Sequence, residues 1–197
     1  MNEDVSDAML IDQCRGGDLT AYDTLVLRYQ DRLVHSLELS LGSYEDALEI
    51  AQQAFVSAWR NLGAFRQDAA FYSWLYRIAM NAAISRRRRN RVKTSSLDSA
   101  AEATGRTPAD QSAAADPQHR LIENENVQLV RSALSRLPEE FRQPLVLKEI
   151  DGLTYEQIAD IMDIPIGTVR SRIFRARREL TAHLERLTGE TARDGDQ

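Results

Sequence analysis

Cysteine is almost absent: Cys14 is the only one in 197 residues. A lone cysteine excludes an internal disulfide and any cysteine-rich zinc site, and it points to a reducing cytosol. Cys14 itself reads as a small buried residue rather than a redox sensor. Nine glycines and five prolines are few enough to permit long helices. No apolar run approaches the roughly 20 residues that cross a bilayer. The N-terminus, Met1-Asn2-Glu3-Asp4-Val5, is acidic where a secretory signal would be basic and then apolar. A cytoplasmic location is expected. There is no phosphate-binding glycine loop, no His-Glu-x-x-His and no nucleophile elbow. His35, His119 and His183 are scattered over three segments. The expectation is therefore no catalytic residue, no metal, no cofactor and no small-molecule substrate.

What is present divides the chain by composition. Hydrophobic residues make up 43% and charged residues 28%, ordinary values for a soluble globular protein. Residues 1–92 are rich in Leu, Ala, aromatics and Arg. Residues 93–120 are Ser/Thr/Ala/Asp/Pro-rich, and Leu97 is their one large apolar residue. Such a stretch cannot bury enough surface to offset its ordering entropy, so it reads as a flexible linker. Residues 121–187 are again Leu/Ile-rich, and 188–197 form a polar tail. The fold class expected is all-α: two small helical domains joined by a flexible linker.

In the first domain the apolar steps of three and four predict four helices. Ser6 caps the first, to Arg15. The second runs from about Asp18 to Leu41. Ser43 caps the third, whose inner stripe is Ala47, Ile50, Ala51, Ala54, Phe55, Ala58 and Leu62. The fourth spans about Phe71 to Arg91, with Trp74, Leu75, Ile78, Ala79 and Ala82 inward. One stripe per helix makes a small bundle. In the second domain, 121–137 and 139–150 are amphipathic. Thr154-x-x-Gln157 is a capping box opening a short helix to Met162. Asp163-Ile164-Pro165-Ile166 interrupts, and a last helix runs from about Gly167 to Leu187. Short helix, tight turn and longer helix make a helix-turn-helix.

A net charge of -5 taken alone argues against a nucleic-acid binder, but the local distribution of charge points the other way. At about 100° per residue, Val169, Ile173, Ala176 and Leu180 share the core side of the last helix. Ser171, Phe174, Arg175 and Arg178 lie opposite, flanked by Arg170 and Arg172. Between 170 and 178 there are five arginines and no acid. Arginine donates twice to guanine in the major groove, or binds phosphate. Gly167 and Thr168 stand where open backbone N–H groups at a helix start can hold a phosphate. Asp163 occupies a turn position that demands a left-handed residue, which Asp tolerates. The plain alternative is a solvated arginine-rich helix. A second basic run, Arg86-Arg87-Arg88-Arg89-Asn90-Arg91, ends the fourth helix beside Phe65, Phe71, Tyr72, Trp74 and Tyr76. Trp74 reads as core, and Phe65 and Tyr72 as the rings open to stacking. Exposed rings beside cations suit unpaired nucleic acid. Glu45, Asp46 and Glu49 cluster on the third helix, either as N-terminal charge compensation or as an acidic docking face.

Three stretches carry a family resemblance. Residues 46–60, DALEIAQQAFVSAWR, resemble region 2.2 of bacterial sigma factors. Residues 71–81, FYSWLYRIAMN, resemble regions 2.3 and 2.4. Residues 151–177, DGLTYEQIADIMDIPIGTVRSRIFRAR, resemble region 4.2. Three long motifs in this order are far more specific than a lone helix-turn-helix. The similarity is greatest to the sigma-E-like extracytoplasmic function (ECF) group of the sigma-70 family. The arginine run after Ser85 is denser than the family pattern.

The resemblance implies core RNA polymerase and promoter DNA as partners. Asp46, Glu49, Gln52, Gln53 and Phe55 would dock the third helix on polymerase. The candidates for the unpaired -10 strand are Phe65, Arg66, Phe71, Tyr72, Arg77, Asn81, Arg86, Arg87 and Arg88. Gly167, Thr168, Arg170, Ser171, Arg172, Phe174, Arg175 and Arg178 would read the duplex -35 element. An anti-sigma factor, in many such systems membrane-anchored, would hold the protein inactive until a stress signal. The linker of about 28 residues spans roughly 30 Å when relaxed, whereas elements some 25 base pairs apart lie about 85 Å apart, so it would be held stretched. Two rivals remain at this point: a conventional regulator using only its helix-turn-helix, and a helical adaptor for acidic proteins; a third, an enzyme acting on nucleic acid, is weak because no metal or acid–base constellation appears in the sequence.

Overall fold

The computed structural model describes the backbone of residues 5–66, 69–95 and 127–194, and every regular element among them is helical. The first compact unit holds α1 (Asp7–Arg15), most of α2 (Leu19–Leu41), α3 (Tyr44–Asn61), a single 3₁₀ turn (Leu62–Ala64) and α4 (Phe71–Ser95). The second holds α5 (described over 127–135), α6 (Glu139–Glu149), α7 (Tyr155–Met162) and α8 (Ile166–Asp194). The all-α, two-domain expectation is met. The linker expected over 93–120 lies outside the described residues from 96 onward, as do 121–126 of the helix that follows it.

Side-chain oxygens start the helices of the first unit where the sequence places them. Ser6 accepts from the Met9 amide at 3.4 Å. Asp18 accepts from the Thr20 amide at 2.9 Å, and the Thr20 hydroxyl, then the Ala21 amide, hold its carboxyl below the ordinary range. Ser43 accepts from the Asp46 amide at 3.2 Å. Gly42, at φ +80°, separates α2 from α3 in a conformation that side chains resist. All seven residues of the expected α3 stripe are buried. Four of them are alanines, and small residues on a contact face let two helices approach closely. The α4 stripe is rotated from the expected one. Tyr72, Leu75, Tyr76, Ala79, Met80 and Ala83 are buried, while Trp74, Ile78 and Ala82 are only half-buried. The large apolar bodies of the two tyrosines outweigh an alanine and an isoleucine in choosing the inner face.

In the second unit, Thr154 and Gln157 close a complete capping box. Asp163 sits at φ 53°, ψ 47° and donates its amide to the Ala159 carbonyl, ending α7 in the left-handed region. α8 begins one residue before the expected start. The core joins Leu134 and Leu137 to Leu145 and Leu147, Ile158 and Ile161, and Val169, Ile173 and Ala176. Leu180, expected in the core, is half-buried. Two helices outrun their expected ends: α4 reaches Ser95 and α8 reaches Asp194, through the stretch read as a polar tail. Polarity does not stop a helix. Residues 92–95 contain no Gly or Pro, and Gly189 alone costs about 1 kcal/mol.

Candidate nucleic-acid interface

The turn at Asp163 sets which face of α8 is open. Val169, Ile173 and Ala176 are at most 1% exposed. Arg170, Ser171, Phe174, Arg175 and Arg178 are all exposed on the other side, Phe174 to 62%. The Ser171 hydroxyl donates to the Thr168 carbonyl at 2.9 Å, leaving its oxygen to accept. The Arg170 guanidinium stands 5.5 Å from the centre of the Tyr155 ring. Arg175 and Arg178 form no ion pair with any described residue. One expectation needs correction. The Thr168 amide is not open, because it donates to the Pro165 carbonyl at 2.8 Å in the tight first turn of α8. Two of the five arginines find an acid elsewhere in the fold. Arg172 pairs with Glu140 at 3.1 Å, and Arg177 pairs with Glu149 at 2.5 Å. Both acids come from α6. The Arg177–Glu149 pair spans 28 positions, so no helical periodicity could reveal it.

The N-terminal site is rearranged more strongly. Phe65, Phe71 and Tyr72 are buried to within 3% of full enclosure. Phe65 and Phe71 meet edge-to-face at 5.8 Å, Tyr29 stacks near both Phe71 and Tyr72, and Arg32 lies 3.8 Å over the Tyr72 ring. These rings are core, not open platforms. Trp74, 4.8 Å from Phe65, is the one that reaches solvent, which reverses the expected assignment. Aromatic clusters gain from edge-to-face contact as well as from burial, and that holds the loop residue Phe65 inside. Arg66, Arg77, Asn81, Arg87 and Arg88 are exposed along the loop and α4.

Arg86 points elsewhere. It pairs with Asp46 at 2.8 Å and with Glu49, joining α4 to the acidic face of α3, so two of the three clustered acids share a cation. Phe55, expected on the docking face, is 8% exposed, and its carbonyl accepts the Tyr22 hydroxyl at 2.5 Å. Burial pushes that phenol's pKa well up. Gln52 is exposed, and the half-buried Gln53 donates to Glu49 at 3.0 Å. The outer side of α3 also carries Leu48 and Val56, 38% and 51% exposed, flanking Gln52. Their spacing of four on either side of Gln52 was readable in the sequence as an apolar stripe outside the inner one.

With this geometry in hand, the family models for sigma-70 region 2 and sigma-70 region 4 match residues 25–92 and 128–180. The chain is 37% identical over 191 residues to the ECF RNA polymerase sigma-E factor of Escherichia coli K12, covering 95% of this chain and 98% of that protein. It is 38% identical over 200 residues to the RNA polymerase sigma-H factor of Pseudomonas aeruginosa, with 93% and 96% covered. The chain belongs to the ECF sigma factors of the sigma-70 family. The fold of this sigma factor is also that of solved structures. One is the sigma factor RpoE of Bartonella quintana in complex with the anti-sigma factor NepR: TM-score 0.67, 23% identity, 83% and 96% covered. Another is CnrH in complex with the cytosolic domain of CnrY: TM-score 0.63, 26% identity, 91% and 97% covered. As a sigma factor the protein is a transcription initiation factor, and its helix-turn-helix is the region 4 DNA-binding element.

Proposed function

We propose that the chain carries core RNA polymerase to promoters by dividing the work among three surfaces. The observation that carries this reading is the α8 face, where Arg170, Ser171, Phe174, Arg175 and Arg178 are exposed while Val169, Ile173 and Ala176 are buried. A face with three arginines, a hydroxyl and an aromatic ring suits the major groove of a duplex -35 element. The exposed Arg66, Arg77, Asn81, Arg87 and Arg88, with the half-exposed Trp74, form the surface for the unpaired -10 strand. The outer face of α3, with Leu48, Gln52 and Val56 beside Asp46 and Glu49, docks on core polymerase. The protein catalyses nothing itself and works in the cytoplasm; no helix among its described residues is long and apolar enough to cross a membrane. CnrH, solved with the cytosolic domain of CnrY, supports an anti-sigma factor as a further partner.

Run-off transcription with purified core enzyme tests the reading. Core plus this chain initiates at discrete promoters, and Arg175→Ala reduces initiation at them. Initiation indistinguishable from core enzyme alone would refute it.

A further inference from the structure

The α6 carboxylates that hold Arg172 and Arg177 have no part in the surfaces described above. At about 100° per residue, Arg172 lies about 100° to one side of Ser171 and Arg177 about 120° to the other. The two arginines therefore border the open face of α8 on opposite flanks. Glu140 and Glu149 are nine residues apart, about half a revolution around α6, and α6 packs against α8. One helix thus reaches up on both flanks of the other. Glu140 meets Arg172 Nη2 at 3.1 Å, and the Arg172 side chain is 25% exposed. Glu149 takes both Nε and Nη2 of Arg177, at 3.1 and 2.5 Å, and this contact raises the Arg177 pKa.

From this arrangement we infer that Glu140 and Glu149 are specificity-determining residues, holding Arg172 and Arg177 back from DNA phosphates and so keeping sequence-independent binding weak. The inference rests on α8 being the DNA-facing helix. An arginine at the edge of a recognition helix reaches a phosphate whatever the base sequence, and each such contact adds affinity equally at every site. Discrimination is the ratio of specific to non-specific binding, so contacts of this kind dilute it. Glu149 hydrogen-bonds Arg177 and Glu140 ion-pairs Arg172, so a phosphate must displace a carboxylate to reach either guanidinium. Arg170, Arg175 and Arg178 remain for DNA. Partly exposed ion pairs contribute little to stability, so fold stability alone is a weak reason for two of them on opposite flanks of one helix.

The test is a mutant cycle on the full-length chain, read by fluorescence anisotropy on a mixed-sequence duplex across a salt series. Glu140→Gln binds more tightly, and the slope of log affinity against log salt steepens by about 0.9, one released counterion equivalent. Arg172→Gln alone leaves the slope unchanged. Glu140→Gln combined with Arg172→Gln returns to the parent values. Glu149→Gln and Arg177→Gln behave the same way. Either of two results overturns the inference: Arg172→Gln alone flattens the slope by about 0.9, which means Arg172 reaches phosphate despite Glu140, or Glu140→Gln gains equally with and without Arg172, which means the carboxylate acts only through its own charge. Arg178→Ala separates the underlying reading. If it leaves duplex binding untouched, α8 is not the DNA face, and the inference falls with that reading rather than through the cycle.

Discussion

Asp163 is the position where a single side chain most directly tests the geometry of the helix-turn-helix. Its φ of 53° and ψ of 47° lie in the left-handed region, where an ordinary L-residue costs about 1–2 kcal/mol and Asp somewhat less. Asp163→Gly removes that cost but adds about 0.5–1 kcal/mol of unfolded-state entropy, so the expected change lies between zero and a gain of about 1 kcal/mol. Asp163→Val meets the full penalty and adds β-branching, a loss of about 1–2 kcal/mol. The two variants should therefore differ by about 2 kcal/mol. For a unit of this size, 1 kcal/mol moves the melting temperature by about 4–8 °C, so the gap is about 8–16 °C. Scanning calorimetry of the full chain reads it in the transition of the second unit, and the first unit's transition serves as an internal reference. Equal melting temperatures for the Gly and Val variants would falsify the left-handed assignment.

Two further outcomes follow from single contacts. Arg86→Ala leaves the salt dependence of single-strand binding unchanged, because Arg86 is occupied by Asp46 and Glu49. Arg88→Ala flattens it by about 0.7, and equal effects of the two would refute the pairing. The Cys14 thiol is buried, and that burial, followed by the Asp18 charge, raises its pKa above 9.0. The folded state thus holds this proton more tightly than the unfolded state, so the contribution to stability is complete below about pH 9 and is lost as pH rises through the folded value. Alkylation of Cys14 should be slow in the native protein at neutral pH and fast in urea; equal rates would show the thiol to be open.

Much of this architecture is local and therefore legible in the sequence. Ser6, Ser43 and the Thr154–Gln157 box each act within three residues, and all cap as read. Val169, Ile173 and Ala176 repeat at helical spacing, and all are buried. What failed was non-local. Phe65 stands in a loop, where exposure is the ordinary expectation, yet Arg15 donates to its carbonyl from 50 positions away and Phe71 and Trp74 enclose its ring. Arg86 sits in a run of like residues that nothing local distinguishes, and only the crossing of α3 and α4 brings it between two carboxylates. Phe55 belonged both to the inner stripe and to the resemblance-derived docking face, and a helix residue cannot serve both sides. The stripe, which follows from packing, was the sounder guide.

The net charge of -5 is then a statement about placement rather than amount. Arginines near a DNA-facing surface fall into two groups here: those that meet an acid from a neighbouring helix, as Arg86, Arg172 and Arg177 do, and those such as Arg175 and Arg178 that meet none among the described residues. The first group contributes to the count of basic residues but not to the field that a phosphate feels, since a paired guanidinium is largely neutralised within a Debye length of about 8–10 Å. The second group lies on one exposed stripe of α8. Averaged over the whole composition, the two groups vanish into a net negative charge, and DNA binding looks unfavourable. Kept apart on the surface, Arg175 and Arg178 share one exposed stripe of α8, and the Glu140–Arg172 and Glu149–Arg177 pairs lie on its flanks. That arrangement suits a sigma factor, which directs polymerase to particular promoters, because weak sequence-independent attraction is what lets a few base contacts decide the site.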